Sequence, residues 1–200
     1  MIKKFEEFVN ENYGSKYRRE TLTSEDRDKL MRIFADEFDL DRNKALWATM
    51  MRIISRADGI YTFEEITEIL YKLKSAFDSS YGIALLKLLF DEGESVQVKE
   101  KELNNFCKRR GCELPIVFDI NGKMITGKVY YSEALNAYAK DEDDFIEAGD
   151  EWLSIQANEE GILDDDQPDW VSDNWDMLDI YEVDLDKEYL DKETNRWEKR

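Results

Sequence analysis

From Asp141 to Asp186 the chain carries 19 acidic residues and not one lysine or arginine. Like charges three and four residues apart weaken a helix, so such a segment folds only where apolar residues anchor it. The anchors are present. Pro168 disfavours helix at Gln167, and Asp169 follows it as a good N-cap. At the helical angle, Trp170, Val171, Trp175, Met177, Leu178 and Tyr181 fall on one broad side. Asp169, Asp173, Asp176 and Asp179 fall on the other. This spacing predicts an amphipathic helix. Glu182-Val183-Asp184-Leu185-Asp186 then alternates as a half-buried strand does, with its three acids on one face. Disordered acidic tails lack both periodicities and rarely carry tryptophan.

The acid excess is local. Residues 1–140 hold 23 Lys+Arg and 24 Asp+Glu, whereas residues 141–200 hold 5 and 23. A salt-adapted or generally solubilising bias would run along the whole chain. Charge asymmetry of this kind points to an interaction surface or a tail.

The remaining pattern predicts an α+β fold that is predominantly α-helical. At 42% hydrophobic and 12% aromatic residues the chain is too apolar for disorder, and 200 residues suffice for one large domain or two small ones. A short helix is read over residues 2–12, and Thr23 with Asp26 opens a second. Further helices are read over 43–57, from the Thr62–Glu65 capping box, over 81–90 and over 97–110. Lys108, Arg109 and Arg110 sit in the last turn before Gly111, where cations complement the helix dipole. PIVFDI-NG-KMITGKVYY predicts a β-hairpin over 115–131 with a type I′ turn at Asn121-Gly122. Ser132 is read as the cap of a helix reaching Tyr138. Another helix runs from about Asp143 to Gln156, with Phe145, Ile146, Trp152, Leu153 and Ile155 available to the core. DEGES at 91–95 is read as the hinge, giving a helical domain over 1–93 and an α+β part over 94–200 that contains the acidic region 141–186.

Several function classes are excluded or weakened. The chain has no histidine, which removes Ser-His and Cys-His nucleophile pairs and the commonest general base. Two cysteines, Cys107 and Cys112, cannot make a four-ligand zinc site from thiolate and imidazole. In a reducing compartment they read as buried or idle. No Walker A, dinucleotide fingerprint, HExxH or RNA-binding aromatic motif occurs, and no basic stripe. Asp39-Leu-Asp41-Arg-Asn43 opens like a calcium loop. Lys44 then stands where glycine is needed, and Met50 where a bidentate glutamate is needed. Asp164/Asp166 and Glu182/Asp184/Asp186 are spaced for a hard cation, yet such pairs arise by chance in so acidic a stretch. No catalytic, cofactor or metal residue is assigned. The longest apolar run, Ile83 to Phe90, is broken by Lys87, so no membrane span is expected; the N-terminus lacks a signal peptide's apolar core, and the compartment is read as cytoplasmic.

These observations favour a non-enzymatic binding protein. An ordered acidic surface would occupy the basic site of a nucleic-acid-binding protein or nuclease, as a nucleic-acid mimic of the anti-defence or antidote kind. The partner is expected to be a basic protein, with no direct contact to nucleic acid or membrane. The expected charged contacts are Asp164, Asp165, Asp166, Asp169, Asp173, Asp176, Asp179, Glu182, Asp184 and Asp186, with Trp170 and Trp175 as anchors or hot spots. Two alternatives stand beside it. One is a structural or adaptor protein of a phage or mobile element that assembles through its helical part. The other is a carboxylate-based metal-dependent enzyme.

Overall fold

A computed structural model describes residues 21–38, 44–77, 80–91, 93–162, 169–191, 194 and 196–200. The helix read over residues 2–12 lies outside them. The fold is α+β and predominantly helical, and the chain divides into two compact units between Ile116 and Val117.

The helical unit contains α1 (Ser24–Phe38), α2 (Lys44–Ala57), α3 (Phe63–Lys72), the short α4 (Lys74–Phe77), α5 (Ser80–Leu89) and α6 (Val96–Arg110). Its starts and stops follow local chemistry. Asp26 N–H donates to Thr23 Oγ1 and Thr23 N–H to Asp26 Oδ2, both at 3.1 Å. Thr62 and Glu65 form the expected reciprocal capping box on α3. Gly111 ends α6 with φ of 61°, the left-handed conformation glycine adopts without a Cβ penalty. The core is built from Leu30 and Phe34 of α1, Met50 and Ile53 of α2, Ile66 and Ile69 of α3, and Leu86 of α5, all essentially inaccessible. Helix α6 belongs here rather than beyond the 93/94 boundary read from the sequence: its buried Phe106 stacks on Tyr81 of α5 at 5.8 Å. Arg109 lies over the Tyr81 ring and Arg110 over Phe106, so the basic last turn of α6 is engaged with its own unit.

The second unit is organised around a three-stranded sheet. Strands β1 (Ile116–Phe118) and β2 (Met124–Thr126) pair with each other. Strand β3 (Lys128–Ser132) is central to the larger sheet, antiparallel to both β4 (Ala137–Ala139) and β5 (Ile180–Asp184). A further pair, β6 (Glu188–Asp191) and β7 (Arg196–Lys199), is antiparallel as well. Helix α7 (Ile146–Glu159) follows a 3₁₀ turn over Glu142–Phe145.

Side-chain alternation gives the three-stranded sheet two apolar faces. Ala137, Ala139, Tyr130 and Ile180 pack with Phe145, Ala148 and Leu153 from the α7 side. Val129, Tyr131, Val183 and Leu185 pack on the opposite side with Tyr138 and Trp197. Three rings meet there: Tyr131 lies 4.9 Å from Tyr138 and 5.6 Å from Trp197.

Three sequence expectations are corrected. The hairpin spans 116–126 rather than 115–131, because Gly127 takes φ of 70° and turns the chain into a different sheet. Its turn is not type I′, since only Gly122 has positive φ. Asp119 organises that turn instead, its Oδ1 accepting from the N–H of Asn121 at 2.9 Å and of Lys123 at 2.7 Å. The helix read from Ser132 to Tyr138 is a strand-turn-strand. Ser132 Oγ does accept from Leu135 N–H at 3.2 Å, as a cap would. Asn136 then adopts φ of 47°, held by Tyr131 O–H donating to its Oδ1 at 2.8 Å, and Ala137 pairs back onto Ser132. In α7, Phe145 just before it and Leu153 are fully buried as expected, but Ile146 and Ile155 face solvent at 49% and 43% exposure.

Candidate protein-binding surface

The segment after residue 168 is ordered by its apolar residues. Trp170–Asp173 forms one α-helical turn, α8, and Trp175–Leu178 one 3₁₀ turn. Leu178 is fully buried, and Trp170, Val171 and Trp175 pack half-buried against the same core. Gly149 of α7 makes this approach possible. A Cβ there would stand 2.6 Å from Leu178 Cδ1 and 2.7 Å from Trp175 Cη2.

Strand β3 fastens the segment from the other side. Ser132, buried at the end of β3, donates its hydroxyl to the Leu178 carbonyl at 2.7 Å. Ser132→Ala leaves the Leu135 N–H without its acceptor and the Leu178 carbonyl with only the long Ala134 N–H contact at 3.5 Å. The expected cost is about 2 kcal/mol, read as a lower urea midpoint; an unchanged midpoint means the hydroxyl does not secure the segment.

One long helix does not form. Asn174 closes the first turn, its Nδ2 donating to the Trp170 carbonyl at 2.8 Å. Asp179 ends the second at φ of 47°. Asp169 occupies the N-cap position, but its side chain makes no capping bond. The expected row of aspartates along one helix face is therefore replaced by two short turns. Met177, expected on the apolar side, is 39% exposed.

The described acids separate into two groups. Asp169, Asp173, Asp176 and Asp179 are exposed, and no ion pair reaches them among the described residues. Glu182 and Asp184 share one face of β5, opposite Tyr130 and Lys128, as the alternation predicts. Both are partly neutralised. Lys128 Nζ lies 2.9 Å from Glu182, which raises the lysine above its usual range. Lys187 lies 2.5 Å from Asp184 and holds that carboxyl below the usual range. Asp186 has left the strand: its N–H donates to Asp184 Oδ1 within the turn before β6. Asp164, Asp165 and Asp166 lie outside the described residues. Among the described residues, no three acids or cysteines converge as metal ligands would.

A groove of about 550 Å³ opens where α7 meets the segment. Glu142, Asp143 and Asp150 supply its acids, and Ile146, Val171 and Trp175 its apolar wall. These groove acids were not singled out from the sequence. The signal was there: Glu142, Ile146 and Asp150 recur at i, i+4, i+8, one face of a helix with an isoleucine among acids. An exposed apolar wall rimmed by carboxylates suits a long cationic side chain, whose stem is apolar and whose head is charged.

On the opposite sheet face Tyr181 is tied down rather than free. Its hydroxyl accepts from Trp197 Nε1 at 2.9 Å and donates to Glu133 Oε1 at 3.0 Å. Burial, with Glu133 adding to it, pushes its pKa up to about 12. It is a neutral hydrogen-bond bridge between Trp197 and Glu133. No family model, curated protein or solved structure matches this chain.

Proposed function

We propose that this protein is a non-enzymatic inhibitor or binding protein whose ordered acidic surface occupies the basic site of a nucleic-acid-binding protein or nuclease. One observation carries the reading. Asp169, Asp173, Asp176 and Asp179 are exposed without ion-pair partners among the described residues, on turns fixed by Trp170, Trp175 and Leu178. Free, pre-positioned carboxylates lose little conformational entropy on binding, and they attract a cationic groove from a distance. The paired Glu182 and Asp184 contribute less in this reading. Glu142, Asp143 and Asp150 join the contact set, and the two tryptophans act as anchors.

The direct experiment is retention of host-lysate proteins by the immobilised full chain at low and moderate salt. A basic nucleic-acid-binding protein is expected to be retained, with weaker retention as salt rises. Charge reversal at Asp173, Asp176 and Asp179 together is expected to lower its affinity at least about tenfold, since close charge pairs couple by more than 1 kcal/mol each. Retention that survives the reversal unchanged sinks the proposal.

A second reading, assembly through the helical unit, has one observation in its favour. Trp47 and Met51, one turn apart on α2, are 39% and 42% exposed and form an apolar strip. Under that reading Trp47→Glu with Met51→Glu abolishes retention, whereas the aspartate reversal leaves it intact.

A further inference from the structure

We propose that Cys107 and Cys112 form a reversible dithiol–disulfide site that clasps the C-terminus of α6. The site follows from how α6 ends. Gly111 is left-handed, and both its N–H and that of Cys112 donate to the Cys107 carbonyl, the latter at 3.2 Å. This is the 6→1 bond of a Schellman motif, which sets the residue three before the cap beside the one just after the left-handed glycine. Those two side chains ordinarily make an apolar contact. Here both are thiols, half-buried and unbridged, each within the other's electrostatic reach. The sequence alone read them as idle; the cap geometry pairs them. Because the backbone bond already holds the two residues together, the sulfurs meet without opening the helix end.

The chemistry balances with a small-molecule disulfide such as oxidised glutathione as the oxidant. Burial holds the Cys107 thiol above its ordinary range, so the first attack falls to Cys112. The Cys112 thiolate attacks one glutathione sulfur, the glutathione S–S bond breaks, and one glutathione thiolate leaves with the electron pair. The Cys107 sulfur then attacks Cys112 in the mixed disulfide and expels the second glutathione. The protein pair loses two electrons and two protons. The oxidant gains both and becomes two thiols. Excess reduced glutathione runs the sequence backwards.

The test treats the native full chain with oxidised glutathione and reads intact mass and non-reducing electrophoresis. The wild type is expected to lose two hydrogens per chain, to carry no glutathione, to form no disulfide between chains, and to revert under reduced glutathione. Cys107→Ser is expected to stop at a stable glutathione adduct on Cys112. A persistent adduct on the wild type overturns the proposal. So does a disulfide between chains, or a wild type that stays reduced.

Discussion

Gly149→Leu is expected to abolish binding to the cationic partner without removing a single charge. A Cβ at Gly149 already falls inside contact distance of Leu178 Cδ1 and of two ring atoms of Trp175. Leu178 is fully buried, and the indole is rigid. A leucine side chain at this position forces the Trp175–Leu178 turn off α7. Overpacking of this kind costs about 3 kcal/mol, partly offset by about 1 kcal/mol from replacing a mid-helix glycine. The far-ultraviolet spectrum is expected to persist while tryptophan emission shifts to the red as Trp175 is released. The substitution separates two explanations that charge reversal cannot. A loose acidic tail binds equally well after it, because every carboxylate remains. An ordered surface does not. Wild-type affinity in Gly149→Leu would show that charge alone suffices.

The same contacts explain what could be read in the chain beforehand. Signals contained within a few residues were legible: the Thr62–Glu65 box, Gly111 after α6, and the alternation through Val183 and Leu185, both of which are buried. Signals decided by distant partners were not. Ser132 looks like a helix cap and does bind the Leu135 N–H, but its hydroxyl also serves Leu178, 46 residues on. Asn136 turns the chain between β3 and β4 and Asp179 ends a 3₁₀ turn, both left-handed at residues other than glycine. Asp179 is fixed from outside its own turn: the Glu133 N–H donates to its carbonyl at 3.3 Å. The candidate site divides the same way. That tryptophans anchor the acidic segment was visible from its periodicity. Which carboxylates remain free was not, because Lys128 reaches Glu182 across a strand pairing that joins residues 54 positions apart. Gly149 carried no warning either, since its reason is two side chains from a later segment.

Asp119 sets the second large expectation, and here pH is the variable. It is 7% exposed, and burial pushes its pKa up to about 7, against the pull of the Lys123 and Asn121 N–H groups on its Oδ1. An unfolded aspartate titrates near 4. Between those values the folded chain holds a proton that the unfolded chain has released. Stability from this group is therefore full below about pH 4, falls as pH rises, and levels off above about 7. The loss is roughly 2–4 kcal/mol over that window. Mutual repulsion among the other acids also weakens the fold as pH rises, so the wild-type profile alone decides nothing. Asp119→Asn removes the titration and keeps a carbonyl oxygen for both N–H groups. Its stability is expected to match the wild type near pH 4.5 and exceed it near pH 8, the shared repulsion cancelling in the difference. Asp119→Ala removes the side-chain acceptor of both bonds as well, and is expected to lose about 2–4 kcal/mol near pH 4.5. Parallel pH profiles for the wild type and Asp119→Asn mean that the buried carboxyl stays ionised. The two N–H bonds then outweigh desolvation, and the hairpin turn is held by a charged rather than a neutral group.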